Sequence, residues 1–248
     1  VHVDREQWSR LEAWLDDRVD GAGGRQAIVF DGDGTLWADD LGERHLAVLE
    51  AAGHVSPSDG HDSLLAEYGA RCELDVDAGY SWAVQCMAGL SEEVVVRTSR
   101  VAWEAHRHLV PGPIRALLAW CDSSGLERWV VSASHRWAVS EATADLGFPR
   151  SQVLAMAVDV ESGVLTSRLE TPVPNGPGKV DLIEAHMGAR PWLAVGNSRH
   201  DLEMLRHADR ALVVRIAAED GVMPEICGEL QALGPNAYKD GFTLRAGR

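Results

Sequence analysis

The sequence predicts an α/β fold: a doubly wound parallel sheet with an inserted all-helical cap subdomain. Three observations lead there. From residue 111 onward, apolar runs of strand length alternate with amphipathic segments of helix length. The first apolar run, Ala27-Ile28-Val29-Phe30, leads directly into a glycine-rich turn holding two carboxylates. Residues 38–108, between that turn and the alternation, show helical periodicity throughout.

Residues 5–19 read as an amphipathic helix, with Trp8, Leu11, Leu15 and Val19 at helical spacing. Gly21-Ala22-Gly23-Gly24 ends it, and the strand over 27–30 follows. Helices are expected over 41–52, 62–69, 78–88 and 92–108. Their separators are the Gly53–Gly60 stretch, Asp75-Val76-Asp77 and Gly89-Leu90-Ser91, and Ser91-Glu92-Glu93 is a good helix start. Alternation then resumes. Helices are expected over 113–122, 135–146, 179–187, 200–207 and near 222–231; strands over 128–132, 152–155, 192–196 and 211–215. A hairpin is expected with arms 156–160 and 164–168 and Glu161-Ser162-Gly163 as its turn. The last fifteen residues are glycine-rich and receive no assignment. The expected division is a core from 1–37 and 109–248, with residues 38–108 as a helical subdomain.

Composition narrows the function. The apolar fraction of 46% is ordinary for a globular chain. No run is long and apolar enough to cross a membrane, and the opening Val1-His2-Val3-Asp4-Arg5-Glu6 has no signal-peptide core. A cytoplasmic location is expected. A formal net charge of −15 argues against nucleic acid as a partner. It does not exclude an anionic substrate, because a bound cation, a lysine and helix N-termini reverse the field locally. Cys72, Cys86, Cys121 and Cys227 lack CxxC spacing and read as reduced thiols. The chain is expected to be a monomer or a homodimer.

Four segments carry chemistry. In Phe30-Asp31-Gly32-Asp33-Gly34-Thr35-Leu36-Trp37, two carboxylates sit just past the end of a strand, where open α/β sheets place ligands. One can act as nucleophile and the other as general acid/base; the other reading is an ordinary Asp-Gly turn. Trp129-Val130-Val131-Ser132-Ala133-Ser134 is a second apolar run ending in hydroxyls. Ser132 sets a hydroxyl donor at the strand end, and Ser134 can cap a helix starting at His135. Lys179 follows the Pro/Gly-rich stretch 172–178 and opens an apolar-periodic segment. The helix dipole disfavours a lysine there, which points to a role beyond local stability. It is no P-loop, since Val173 and Val180 stand where glycine and Ser/Thr are needed. Last, Trp192-Leu193-Ala194-Val195-Gly196-Asn197-Ser198-Arg199-His200-Asp201 is a strand followed by a polar, acidic loop.

These four segments, in this order, resemble the signatures of the haloacid dehalogenase-like hydrolases over about residues 26–215. The resemblance implies a magnesium-dependent phosphatase acting on a small-molecule phosphate monoester through an aspartyl-phosphate on Asp31. Asp33 would be the acid/base, with Lys179 the third catalytic group. Gly32, Ser132, Ala133 and Lys179 would bind the phosphoryl group. Mg2+ would be held by Asp31, Asp33 (through its backbone carbonyl), and Asn197 or Asp201, with Asn197 ahead as the direct ligand and Asp201 binding through water or orienting Lys179. The family usually has an acid where Asn197 stands, so this metal site is one charge short. An acid at position 33 sets the chain apart from the dehalogenases and ion pumps of the family. A sugar-phosphate mutase, or a catalytically weak phosphate-binding regulator, is the alternative. The resemblance is nearest to the phosphoserine- and phosphocholine-phosphatase-like branch, in which the helical insert is a C1-type cap. There Trp37 and Asp40 would meet the substrate. Asp40 reads either as the partner of a substrate amine or as a helix-start acid. Tyr80, Trp82 and Trp103 could hold a cationic or sugar-like leaving group, or belong to the core. Arg97 and Arg100 could instead recognise a carboxylate.

Overall fold

The computed structural model describes residues 5–19, 26–170, 172–217, 236–238 and 242–245. The helix expected near 222–231, Cys227 and the linker at 21–24 lie outside them.

Helix α1 (Arg5–Val19) precedes strand β1 (Ala27–Phe30). Four helices follow: α2 (Leu41–Ala51), α3 (Leu64–Leu74), α4 (Val76–Gln85) and α5 (Glu92–His106). The chain then continues through α6 (Gly112–Ser123), β2 (Glu127–His135), α7 (Arg136–Asp145) and β3 (Val153–Met156). The hairpin β4 (Val158–Glu161) and β5 (Val164–Leu169) comes next, then α8 (Pro177–Met187), β6 (Leu193–Gly196) and α9 (Leu202–His207). Strands β7 (Arg210–Ala217) and β8 (Phe242–Arg245) close the described chain.

The main sheet has the order β3-β2-β1-β6-β7-β8, and every pairing in it is parallel. From β1 the chain moves outward to β2 and β3, then returns to the other side of β1 for β6, β7 and β8. The winding reverses at β1, so a crevice opens at the carboxyl ends of β1 and its neighbours. Alternation along β1 divides the layers. Ile28 and Phe30 pack with Leu11 and Leu15 of α1, Ile114 and Leu117 of α6, and Ala138 and Val139 of α7. Val29 packs on the opposite face with Ile183, Met204 and Leu205 of α8 and α9.

The helical insert rests on α7 and on the hairpin. Leu49, Val84, Met87 and Val95 share a buried cluster with Trp137, Met156, Val158 and Leu165. Each fully buried side chain of this kind contributes roughly 1.5–3 kcal/mol. Backbone bonds reinforce the contact: Gly89 N donates to Leu165 O, and Glu92 N to Gly163 O, both at 2.8 Å. The ends of the insert root in the main core through Leu41, Ala102 and Trp103.

Several boundaries differ from the sequence reading. Asp75 both ends α3 and caps α4, accepting from Ala78 N, so Val76 and Asp77 are helical rather than a separator. The hairpin turn is two residues, Ser162 and Gly163, with φ of 51° and 79°; Met156 ends β3 and is not part of the hairpin. β2 runs on to His135. The cap of α7 is therefore His135, whose Nδ1 accepts from Ala138 N, and not Ser134. A strand, β8, lies in the segment left unassigned. Among the described residues no helix is long and apolar enough to cross a membrane.

Candidate active site

Asp31 is the first residue past β1. Its backbone N–H still donates to Val195 O at 2.9 Å, so the sheet ladder holds the residue in place. Its side chain is buried, with Oδ2 accepting from Thr35 Oγ1 at 3.0 Å and Oδ1 from Lys179 Nζ at 2.5 Å. Lys179 also donates to Asp201 Oδ1 at 2.6 Å. Three charged groups, from the end of β1, the turn between β6 and α9, and the first turn of α8, thus meet out of water.

Local backbone geometry brings the lysine there. Gly178 packs so closely that a Cβ would lie 1.9 Å from Val173 O. Only glycine allows this approach of backbone to backbone, and it sets the first turn of α8 against the 172–178 loop. Gly34, at φ +72°, plays the same part in the first loop. A Cβ there would lie 2.1 Å from Asn197 Nδ2, so the Asn197 amide is seated directly on the Asp31–Thr35 turn.

Asp33 is held from three sides. Oδ1 accepts from Trp37 Nε1 at 2.7 Å and from Leu41 N at 2.6 Å. Oδ2 accepts from Ser132 Oγ at 3.5 Å. Ser132 Oγ in turn accepts from Ser134 N at 3.1 Å, which folds the Ser132–Ser134 segment around the hydroxyl. Gly32 lies between Trp37 and Ser132 Oγ.

Burial and like charge dominate the electrostatics. The Asp31 carboxyl is pushed up to about 7 by burial and by Asp201, against the pull of Lys179. Asp33 is pushed to about 7 by burial and by Asp40, with the Leu41 N–H opposing. Burial would lower the Lys179 ammonium, but Asp201 and Asp31 outweigh it and hold it above the usual lysine range, so it stays charged.

These groups open onto a cavity of about 220 Å³. Asp31, Asp33, Ser132, Ala133, Lys179, Asn197 and Asp201 form one part of its wall. The insert supplies Asp40, Tyr68 and Tyr80, and the core adds His135, Asn175 and His200. Four carboxylates thus face one ammonium. Asp31 and Asn197 offer oxygen donors of the kind a hard divalent cation takes. Among the described residues no three His, Cys, Asp or Glu side chains form a ready-made cage. Amide or backbone oxygens must complete the shell, and the excess negative charge suits a cation there. The residues fit the metal in donor chemistry and in charge.

Asp201 Oδ1 accepts from Lys179, and Oδ2 accepts from Asn197 N, Ser198 N and Ser198 Oγ. It is placed to orient the lysine, one of the parts expected of it, and it caps its own loop. Two expectations need correction. Trp37 is 1% exposed, packs edge-on against Trp103 and does not line the cavity. Its indole N–H supports Asp33 instead of touching substrate. Arg97 and Arg100 face outward, and Arg100 pairs with Glu141, so neither can meet a substrate carboxylate.

The sequence reading missed Tyr68, His135, Asn175 and His200. No spacing marks them, because they come from α3, the end of β2 and two loops. Asp40 caps α2 by accepting from Glu43 N at 2.8 Å, as its helix-start reading expects, and it also lines the cavity.

Solved structures share this fold. A protein of unknown function from Bordetella pertussis Tohama I matches with a TM-score of 0.71 at 17% identity, over 86% of this chain and 97% of its own. A phosphoserine phosphohydrolase-like protein from Francisella tularensis subsp. tularensis SCHU S4 gives 0.57 at 15% identity, over 86% and 95%. A substrate-bound phosphoserine phosphatase complex gives 0.56 at 17% identity, over 88% and 94%. At such identities the likeness establishes the fold alone. No curated protein sequence matches the chain. A profile described as haloacid dehalogenase-like hydrolase matches residues 28–206, from the first strand through α9. With its four segments meeting in one crevice and that match over most of its length, the chain belongs to the haloacid dehalogenase-like hydrolase family of enzymes.

Proposed function

We propose that the protein is a magnesium-dependent phosphatase that hydrolyses a small-molecule phosphate monoester through an aspartyl-phosphate. The observation that carries this reading is the Lys179 ammonium clamped between Asp31 and Asp201, with Asp33 tethered beside it.

Asp31 attacks phosphorus, and the P–O bond to the alcohol breaks. Asp33 gives its proton to the departing alkoxide. Its carboxyl sits near 7, so both protonation states are populated at neutral pH, as this double duty needs. Once deprotonated, Asp33 takes a proton from the water that cleaves the aspartyl-phosphate. Lys179 balances the charge on Asp31 and on the phosphoryl oxygens. Ser132 Oγ, beside Asp33, donates to a phosphoryl oxygen, and the Gly32 and Ala133 backbone bounds the phosphoryl pocket. Asp31, the Asp33 carbonyl and Asn197 would hold magnesium. When bound, the ion would screen the repulsion between Asp31 and the phosphate dianion.

We assign residues 38–108 as the cap, since this segment supplies Asp40, Tyr68 and Tyr80 to the cavity wall. Specificity then resides in the insert and phosphoryl chemistry in the core. Cys72, Cys86 and Cys121 are free thiols, which suits a reducing compartment, and we place the enzyme in the cytoplasm.

Turnover of an aryl phosphate with and without magnesium tests the reading. Wild type is expected to turn over only with the ion. Asp31→Asn is expected to be inactive with an unchanged circular dichroism spectrum. More than a few percent residual rate in that variant would rule out Asp31 as the nucleophile.

A further inference from the structure

Trp37 enters none of the steps given above, yet its buried ring is fixed on several sides. One edge lies over Gly32, where a Cβ would be 3.0 Å from Trp37 Cζ2. The ring packs edge-on against Trp103 of α5, with centroids 5.7 Å apart and 66° between the planes. Trp103 is itself anchored on the core, since its Nε1 donates to Asp145 Oδ2, at the end of α7, at 2.9 Å. The backbone is held as well: Gly34 N donates to Trp37 O at 2.9 Å, and Ala38 N to Leu109 O at 3.0 Å. The indole N–H therefore has a set direction.

That N–H points at one oxygen of Asp33. Oδ1 accepts from Trp37 Nε1 at 2.7 Å and from Leu41 N at 2.6 Å. A carboxylate oxygen has two lone pairs, so these two donors fill Oδ1. A proton placed there would set an O–H against two N–H groups. Oδ2 lies on the other side, with the Ser132 hydroxyl at 3.5 Å. Ser132 lines the cavity, whereas Trp37 and Leu41 do not.

We infer that Trp37 is a positioning residue for the acid/base: with the Leu41 N–H it fills Asp33 Oδ1, which makes Oδ2 the oxygen that hands the proton to the leaving group. This rests on the phosphatase reading and deepens it. As the P–O bond to the alcohol breaks, its electron pair stays on the leaving oxygen. The Oδ2–H bond breaks and supplies the proton that this oxygen takes up. The charge left on the carboxylate is shared with Oδ1, where hydrogen bonds from two N–H groups strengthen. In the second half, water gives one proton to Oδ2 while its oxygen bonds to phosphorus and the bond from phosphorus to Asp31 breaks. Trp37 touches no reacting atom and acts through Asp33.

Such help matters more as the leaving oxygen becomes more basic. Phenyl phosphate and 4-nitrophenyl phosphate are close in shape, and phenoxide is the more basic leaving group. Their kcat/KM values with magnesium report the step in which the ester bond breaks. Two variants of the full chain remove the donor. Replacement of Trp37 by 3-benzothienylalanine exchanges the N–H for sulfur and keeps the fused-ring shape. Trp37→Phe removes the N–H with a smaller ring. Both are expected to lower kcat/KM for phenyl phosphate about 10–100-fold, the worth of a hydrogen bond to a charged group. The fall for 4-nitrophenyl phosphate is expected to be several times smaller. Should Trp37→Phe not fold, the benzothienylalanine protein alone decides. Failure of wild type to hydrolyse either ester sinks the phosphatase reading. An active wild type whose variants lose equally on both esters, as a merely structural role predicts, or lose nothing on phenyl phosphate, overturns the positioning inference alone.

Discussion

Replacing Lys179 by Met keeps most of the side-chain volume and removes the charge. In the wild type Lys179 is 2% exposed, and its ammonium lies 2.5 Å from Asp31 Oδ1 and 2.6 Å from Asp201 Oδ1. The variant leaves two buried carboxylates facing each other. Asp201 keeps its three donors on Oδ2, whereas Asp31 keeps only Thr35. Breaking a buried ion pair by removing one partner costs about 3–5 kcal/mol. Asp31 can escape part of that by taking up a proton. Its carboxyl already stands near 7 through burial and Asp201, with Lys179 opposing, and losing the lysine raises it further. The sign follows from proton binding. A carboxyl raised in the folded state binds more protons there than in the unfolded chain, so stability falls as pH rises from the unfolded value to the folded one. In wild type this slope ends near 7. In Lys179→Met it continues above 7, at up to about 1.4 kcal/mol per pH unit for one proton. Urea denaturation at pH 6, 7, 8 and 9 with chelator present reads both quantities. The expected deficit is about 3–5 kcal/mol at pH 8, and it shrinks at pH 6. A deficit below about 1 kcal/mol, or wild-type and variant curves parallel in pH, would refute the argument that this lysine neutralises buried carboxylates.

Three further outcomes are expected. Asp33→Asn removes the acid/base and should slow turnover of an ester with a poor leaving group by about 10²–10⁴-fold; a loss under tenfold with such a substrate rejects the assignment. Asn197→Asp adds a charge to the proposed metal shell and should tighten magnesium, read from the ion dependence of turnover and by calorimetry; unchanged affinity would show that residue 197 is not a ligand. Glu67 is buried, yet its carboxyl lies at about 2, since bonds from Ser58 and the Arg71 ion pair outweigh the upward push of burial. A depressed carboxyl stabilises above its unfolded value near 4.5 and loses that contribution as pH falls toward 2. Wild type should therefore lose about 3 kcal/mol across that window that Glu67→Gln does not lose. Identical acid denaturation of the two proteins would remove Glu67 from the account.

The α/β class and the strands expected over 27–30 and 152–155, observed as Ala27–Phe30 and Val153–Met156, were legible in the chain itself. Those signals are local. An apolar run reads as a buried strand, and a Pro/Gly-rich segment before a lysine reads as a loop opening a helix. Boundaries slipped where a residue serves two elements. Asp75 ends one helix and caps the next, and His135 closes β2 and caps α7. Such sharing has no one-dimensional mark.

The division of labour among the acids needed the tertiary structure. The spacing from Asn197 to Asp201 suits a metal loop whichever residue ligates. Only the folded chain shows Lys179 Nζ at one Asp201 oxygen and three local donors at the other. The family resemblance put Trp37 at the substrate; packing against Trp103 turned its ring into the core and its N–H to Asp33. The rest of the cavity wall is assembled from α2, α3, α4 and the 172–178 loop, among other segments. Sequence sets which groups the chain carries and the periodicity that folds them. Their final roles depend on which charges and donors meet out of water, and those neighbours are up to 148 positions apart, as Asp31 and Lys179 are.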